Sequence, residues 1–286
     1  MLQFILESVV RHLEKLEYTI EGVDGEMMLR EYLKRLALSV TIIKKAKRGA
    51  ILLDGERVTV RKNVKNGMAL TLILPPERSE GINPIDIPLE VLYEDEHLAV
   101  FKKPTNMPTH PSRGNRLPTL AEAVMARYGK NFVFRAITRL DKDTVGLVLV
   151  ARNALSAGKL SASMKNGKIF KRYVALVEGV PTPEVGIISA PIRRESDGSI
   201  KRCVAPDGKE AVTEYRVIEK RGESSLCEVI LHTGRTHQIR VHFAHIGHPL
   251  VSDKLYGTPA AEDYTLECRE LRFPHPISGE NITVKY

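Results

Sequence analysis

The chain has 286 residues, 43% of them hydrophobic and 27% charged, with a net charge of +8. That length predicts roughly two domains of about 100–200 residues each, and the positive balance favours a polyanionic partner over an acidic small molecule. Cys203, Cys227 and Cys268 lie far apart without C-x-x-C spacing, which argues against a disulfide framework or a cysteine zinc site and suits a reducing cytosol. No apolar run reaches the roughly 20 residues of a membrane span, and the first residues carry charge too early for a signal peptide, so a cytoplasmic location is expected.

Residues 1–20 fit an edge strand or a short helix equally well. In MLREYLKRLALS, Leu29, Leu33 and Leu36 share one helical face, with Arg30, Lys34 and Arg35 away from it. VTIIKKAKRG predicts a second short helix ending near Gly49, then a strand and a tight Asp54-Gly55 turn. A further turn at Asn66-Gly67 leads into a strand that runs to Pro75. Prolines and glycine in PPERSEGINPIDIP mark a linker. The expected division is therefore residues 1–76, a linker at 77–88, and a second domain at 89–286.

The second domain opens on two short strands, Leu89–Tyr93 and Leu98–Phe101, followed by Lys102 and Lys103. Thr119 can cap the helix LAEAVMARYG, which stops at Gly129. RAITRLDKDTVGLVLVARN carries a polar loop into the apolar run Gly146–Ala151, too short for a free helix and predicted as a buried strand. Asp141 stands on that loop, a position from which a rigid strand can present a catalytic carboxylate. A helix at ALSAGKLSASMKNGKI and strands at FKRYVALVEG and GIISAPI follow. Ala211, Thr213, Tyr215 and Val217 alternate in a strand that pairs with SSLCEVILH across Lys220-Arg221-Gly222. Ile239, His242, Phe243 and Ile246 then take up helical spacing. Strands with segregated helices predict an α+β fold on a mixed, mostly antiparallel sheet, with a small α/β domain before it.

The stretch from Met28 to Leu74 resembles the alpha-L RNA-binding domain shared with ribosomal protein S-four. Its second helix supplies Lys44, Lys45, Lys47 and Arg48, four cations in five positions, suited to phosphate contacts that position RNA without reading its sequence. From Leu89 to Tyr286 an ordered series of segments is similar to the RluA-type pseudouridine synthases: VLYEDEHLAVFKKP, TRLDKDTVGLVLVARN, KIFKRYVALVEG, LHTGRTHQIRVHFAHIGHPLVSDKLYG and LRFPHPISGENITV. The chain departs from the family pattern at Thr138, where histidine is frequent, at Val145, where serine is usual, and at Asn106, where glycine is common.

The resemblance implies isomerisation of uridine in RNA, with the N1–C1′ bond broken and a C5–C1′ bond made. It implies Asp141 as the catalytic aspartate, acting on C1′ or on a 2′ proton; Tyr173 as the active-site tyrosine that stacks on the base; and Arg235 as the arginine paired with the aspartate. It implies Arg139 as the residue that fills the stack after the base is flipped out. No metal, nucleotide or redox cofactor is expected. The expected partner is structured RNA, ribosomal or transfer, with ribosomal RNA favoured, and the expected state is a monomer. Two rival readings remain at this level. His232, His237, His242, His245 and His248 are dense enough to suggest a metal-dependent hydrolase, and the fold could serve a non-catalytic RNA-binding protein.

Overall fold

The computed structural model describes every residue except 1–13, 37, 39, 76–78, 80, 113, 115–116, 130 and 259–265. The first part of the expected linker and the start of the chain fall outside the described residues. An α+β architecture is built on a large mixed sheet, with a smaller sheet formed by the N-terminal residues.

The smaller sheet orders β1 (Glu14–Thr19), β3 (Ala69–Leu74), β2 (Ala50–Leu53) and the two-residue strand Glu56–Arg57, all antiparallel. The ambiguous start of the chain is thus an edge strand from Glu14 onward. Asp54 and Gly55 both take positive φ, as a two-residue hairpin turn requires. Helices α1 (Leu29–Arg35) and α2 (Val40–Arg48) cover the sheet. Leu29, Leu33, Ile42 and Ala46 are buried with Ile51, Leu70 and Leu72, while Lys44, Lys47 and Arg48 lie exposed on the opposite side of α2. Ala154, from the second half of the chain, is buried in this same cluster.

The large sheet has ten strands. Its main path runs β8 (Val185–Ser189), β9 (Val212–Arg221), β10 (Ser224–Leu231), β7 (Phe170–Glu178), β11 (Leu266–Pro274), β6 (Val145–Ala151), β5 (Leu98–Lys103) and β4 (Glu90–Glu94). β12 (Asn281–Lys285) adds to β11, and Arg135–Ala136 adds to β6. β6 and β11 run parallel and the other neighbours antiparallel, which makes the sheet mixed and mostly antiparallel as the strand pattern predicts. Helices α3 (Leu120–Tyr128), α4 (Ala154–Lys165) and α5 (Gln238–His245) flank it. Thr119 caps α3 in a reciprocal box with Glu122, satisfying two end groups at once.

One register line crosses the middle of the sheet and sets up the site. Lys103 pairs with Gly146, Gly146 with Cys268, Cys268 with Tyr173, and Tyr173 with Val229. A register shift between Arg172 and Tyr173 re-aims the tyrosine. The contact of β6 with β11 is close enough that only glycine fits at 146. A Cβ there would stand 2.3 Å from the Cys268 carbonyl oxygen, and its φ of +119° lies where side chains are strained. Gly146→Ala is therefore expected to cost at least about 2 kcal/mol, read as a lower urea midpoint. An unchanged midpoint would show that β6 and β11 do not approach as described.

Candidate active site

The loop from Arg139 to Thr144 enters β6, and backbone groups on both of its flanks are tied to the loop that follows β5. Thr109 Oγ1 donates to the Leu140 carbonyl at 2.9 Å and accepts the Leu140 N–H at 3.2 Å. The Lys142 carbonyl accepts from Met107 N–H at 3.1 Å and from Lys103 Nζ at 3.0 Å. Thr105 Oγ1 donates to the Asp143 carbonyl. Asp141 is thus held between two anchored neighbours. Lys103 is fully buried, and its ammonium also donates to the carbonyls of Pro104 and Met107, both at 2.8 Å. Burial pushes its pKa down to about 8, opposed by the charges of Asp143 and Asp141.

Two departures from the family pattern sit in this frame and have local reasons. Asn106 takes a φ of 57°, a left-handed conformation that asparagine tolerates better than most side chains, so it can stand where glycine is common. Thr138 is buried, and its Oγ1 accepts the Leu149 N–H at 2.9 Å, fixing the loop to its own strand. The Val145 substitution has no explanation in the contacts.

Asp141 opens onto a cleft of ≈ 330 Å³, lined also by Arg139, Lys171, Tyr173, Arg235 and Arg240. The structure brings the sequence-selected Asp141, Arg139, Tyr173 and Arg235 to one cleft, but it corrects one pairing. Arg240 Nη1, not Arg235, faces Asp141 Oδ2, at 3.8 Å. Arg235 lies before α5, where its Nε donates to the Glu210 carbonyl at 2.8 Å and its N–H to Gln238 Oε1. A left-handed residue, His237, turns the chain between Arg235 and the helix. Gln238 is buried and holds this turn to β9 through the Val212 carbonyl and Thr213 Oγ1.

Arg240 is buried and clamped by Asp253, whose two oxygens each accept a guanidinium N–H at 2.7 Å. Asp253 is fully buried and also accepts backbone N–H groups from Leu255 and Tyr256. The Tyr256 ring packs 5.0 Å from the Arg240 guanidinium. Its hydroxyl is 2.8 Å from His237 Nδ1, and His237 Nε2 is 3.9 Å from Asp141 Oδ2. Burial, reinforced by Arg240, lowers the His237 pKa against the pull of Asp141, while burial raises Tyr256 to about 12.

Tyr173 is 6% exposed, and burial, then the neighbouring Cys268, raise its pKa well above 10. It meets the cleft as a neutral phenol. Lys171 lines the same wall and is lowered by burial. Arg139 is exposed at the rim. Lys44, Lys45, Lys47 and Arg48 are on α2 and do not line this cleft.

Sequence reasoning missed Arg240, Asp253, Tyr256, Thr109 and Lys103 as parts of the site, and weighed His237 only as a metal ligand. The signal for Arg240 was present in TGRTHQIRVHF, which offers two arginines five positions apart, but the helix start that decides between them depends on the left-handed turn. The clustered histidines go to separate partners: His232 to Glu214, His242 to Thr213 and the Ala190 carbonyl, and His248 to the Glu178 carbonyl. Among the described residues no three histidine, cysteine or acidic side chains are grouped to hold a metal ion.

The mixed sheet with its flanking helices is the fold of solved pseudouridylate synthases. The solved structure of human RNA pseudouridylate synthase domain containing 1 matches with a TM-score of 0.60 and 26% identity, over 70% of this chain and 83% of that one. Human RNA pseudouridylate synthase domain containing 4 shares the fold, with a TM-score of 0.56 and 23% identity, over 68% of this chain and 87% of that one.

Residues 97–245 match the RNA pseudouridylate synthase family. The chain is 37% identical over 264 residues to the uncharacterized RNA pseudouridine synthase YjbO of Bacillus subtilis, covering 90% of this chain and 93% of that one. It is 38% identical over 256 residues to ribosomal large subunit pseudouridine synthase D of Xanthomonas campestris, covering 82% and 77%. The chain belongs to the RNA pseudouridylate synthase family. It is an RNA pseudouridine synthase, an isomerase, and the hydrolase reading of the histidines is set aside.

The buried Lys103 ammonium gives a pH-dependent signature. The unfolded chain keeps this proton up to the ordinary lysine value of 10.5, whereas the folded chain releases it near 8. The cost of burying the charge is therefore present in full below about pH 8 and is relieved as pH rises towards 10.5. The stability of the native protein relative to Lys103→Met should rise across that window, by at most about 1.4 kcal/mol per pH unit. Urea unfolding of both proteins between pH 7.5 and 10 measures it. A difference independent of pH would overturn the buried-cation assignment.

Proposed function

We propose that the chain isomerises uridine in ribosomal RNA, with Asp141 as the carboxylate that acts at the sugar. The observation that carries this reading is the position of Asp141: on a doubly anchored loop, open to the cleft, with Arg240 3.8 Å away. Asp141 attacks C1′ or removes a 2′ proton, and either role starts from the ionised form. The base is flipped out of the RNA at a cost of a few kcal/mol. It rests against Tyr173, whose neutral ring suits stacking. Arg139, exposed at the rim, fills the vacated stack with its flat guanidinium. Arg235, turned away from Asp141, contacts the RNA backbone. Relatives named for the ribosomal large subunit support ribosomal RNA as the substrate class.

Residues 14–75 supply RNA affinity in this reading, and the linker at 77–88 separates them from the catalytic domain. Support comes from the buried cluster that these residues form, which Ala154 joins from the catalytic side, and from the exposed cations of α2. The reading places the enzyme in the cytoplasm. Among the described residues no helix is long and apolar enough to cross a membrane, and the three cysteines are free thiols.

Asp141→Asn keeps size and removes charge. With folding confirmed by circular dichroism, pseudouridine formation in transcripts of large-subunit ribosomal RNA should fall about 10²–10⁴-fold. Turnover near the native rate would overturn the assignment, and activity confined to transfer RNA would overturn the substrate class.

Replacing Lys44, Lys47 and Arg48 with alanine tests the N-terminal role. Each lost phosphate contact should flatten the log–log dependence of RNA affinity on salt by roughly 0.7–0.9. A slope equal to that of the native protein would mean that this face of α2 meets only solvent.

A further inference from the structure

We propose that His237 is a positioning residue for Asp141, held by Tyr256 in the tautomer whose Nε2–H faces the Asp141 carboxylate. This inference rests on the reading of Asp141 as the acting carboxylate.

The tautomer follows from counting protons along a short chain of contacts. The Arg202 backbone N–H can only donate, and it donates to the Tyr256 oxygen at 2.8 Å. The hydroxyl has a single proton and a second contact of 2.8 Å, to His237 Nδ1. Donation to Nδ1 is the arrangement that gives this proton a partner, and a neutral imidazole whose Nδ1 accepts must carry its own proton on Nε2. Burial favours that neutral form, against the opposing pull of Asp141 and Asp253. The ring is held in place by its backbone as well. His237 has φ 58° and ψ 20° immediately before α5, a left-handed conformation that fixes where its side chain leaves the chain.

Nε2 ends 3.9 Å from Asp141 Oδ2, and Arg240 Nη1 lies 3.8 Å from that same oxygen. Both distances exceed a hydrogen bond. Catalytic hydrogen bonds that are long before substrate binds tighten in the reacting complex. Both contacts are to Oδ2, so together they orient the carboxylate from one side. Because Arg202 belongs to the two-stranded ribbon Ile192–Arg194 and Arg202–Val204, the chain of contacts also ties the aspartate to that ribbon.

Long-range ¹H–¹⁵N correlation spectra of the full-length protein labelled at histidine nitrogen read the tautomer directly, with His237 assigned by the signal missing from His237→Gln. The native protein should show Nε2 protonated. Tyr256→Phe removes the donor to Nδ1, so a mixed tautomer is expected, with kcat at saturating RNA lowered about tenfold, the effect of losing one hydrogen bond. Two substitutions separate orientation of the aspartate from a backbone role. Glutamine places an amide N–H near the position of Nε2, whereas asparagine tolerates the left-handed backbone but stops short of Asp141. If His237 orients Asp141, His237→Gln retains more kcat than His237→Asn although asparagine is the more stable variant. Nδ1 protonated in the native protein, or asparagine retaining as much kcat as glutamine, would overturn the proposal. Should Asp141→Asn remain active, the reading of Asp141 fails whatever the spectrum shows; a wrong tautomer with Asp141→Asn inactive overturns this inference alone.

Discussion

The ammonium of Lys103 is the point on which the site depends. A lysine with no exposed surface loses its hydration, and here three carbonyls replace it, from Pro104, Met107 and Lys142. Each accepts a charge-assisted hydrogen bond, stronger than one between neutral groups. The three carbonyls belong to two loops distant in sequence, so the cation joins the loop after β5 to the loop that carries Asp141. That union leaves Asp141 little freedom, because Leu140 is held by Thr109 and Lys142 by the lysine. The lowered pKa of Lys103 is the measure of what this costs, since a group that preferred its buried state would not yield its proton more easily.

The sheet supplies the second coordinate. Lys103 and Tyr173 stand on one register line, with Gly146 and Cys268 between them. Their separation is fixed by strand spacing rather than by side-chain packing. Gly146 brings β6 close to β11, and the register shift before Tyr173 turns its ring relative to the strand. The loop that carries Asp141 and the strand that carries Tyr173 are therefore both referred to the same central strands, which fixes the two sides of the cleft relative to each other.

How much of this could be read from the sequence depends on the range of the interaction. The Asp54-Gly55 turn, the Thr119 cap and the alternation from Ala211 to Val217 are local, and each appears where its chemistry predicts. Lys44 to Arg48 announce an exposed basic face because Ile42 and Ala46 are spaced to be buried beneath it. The parallel contact of Val145 with Glu267 joins residues too far apart in sequence for any periodicity to signal. The choice of Arg235 over Arg240 failed for a different reason. Both arginines suit a carboxylate chemically, and only the left-handed turn at His237 decides which one reaches it. Lys103 is legible only as a cation at the end of a strand, because burial of a cation is decided by carbonyls brought from elsewhere.

Two carboxylates compete for Arg240, and they are treated unequally. Asp253 takes two hydrogen bonds of 2.7 Å in the parallel geometry that suits a guanidinium best, whereas Asp141 stands 3.8 Å from the remaining nitrogen. A tight pair with Asp141 would tie up the carboxylate oxygens. An Asp141 with no cation near it would lack a charge to orient it. Committing Arg240 to Asp253 avoids both outcomes. The arginine is locked in position, its charge acts on Asp141 through space, and no hydrogen bond must break before the carboxylate moves. The buried Asp253 thus sets the surroundings of Asp141 as much as the arginine it holds.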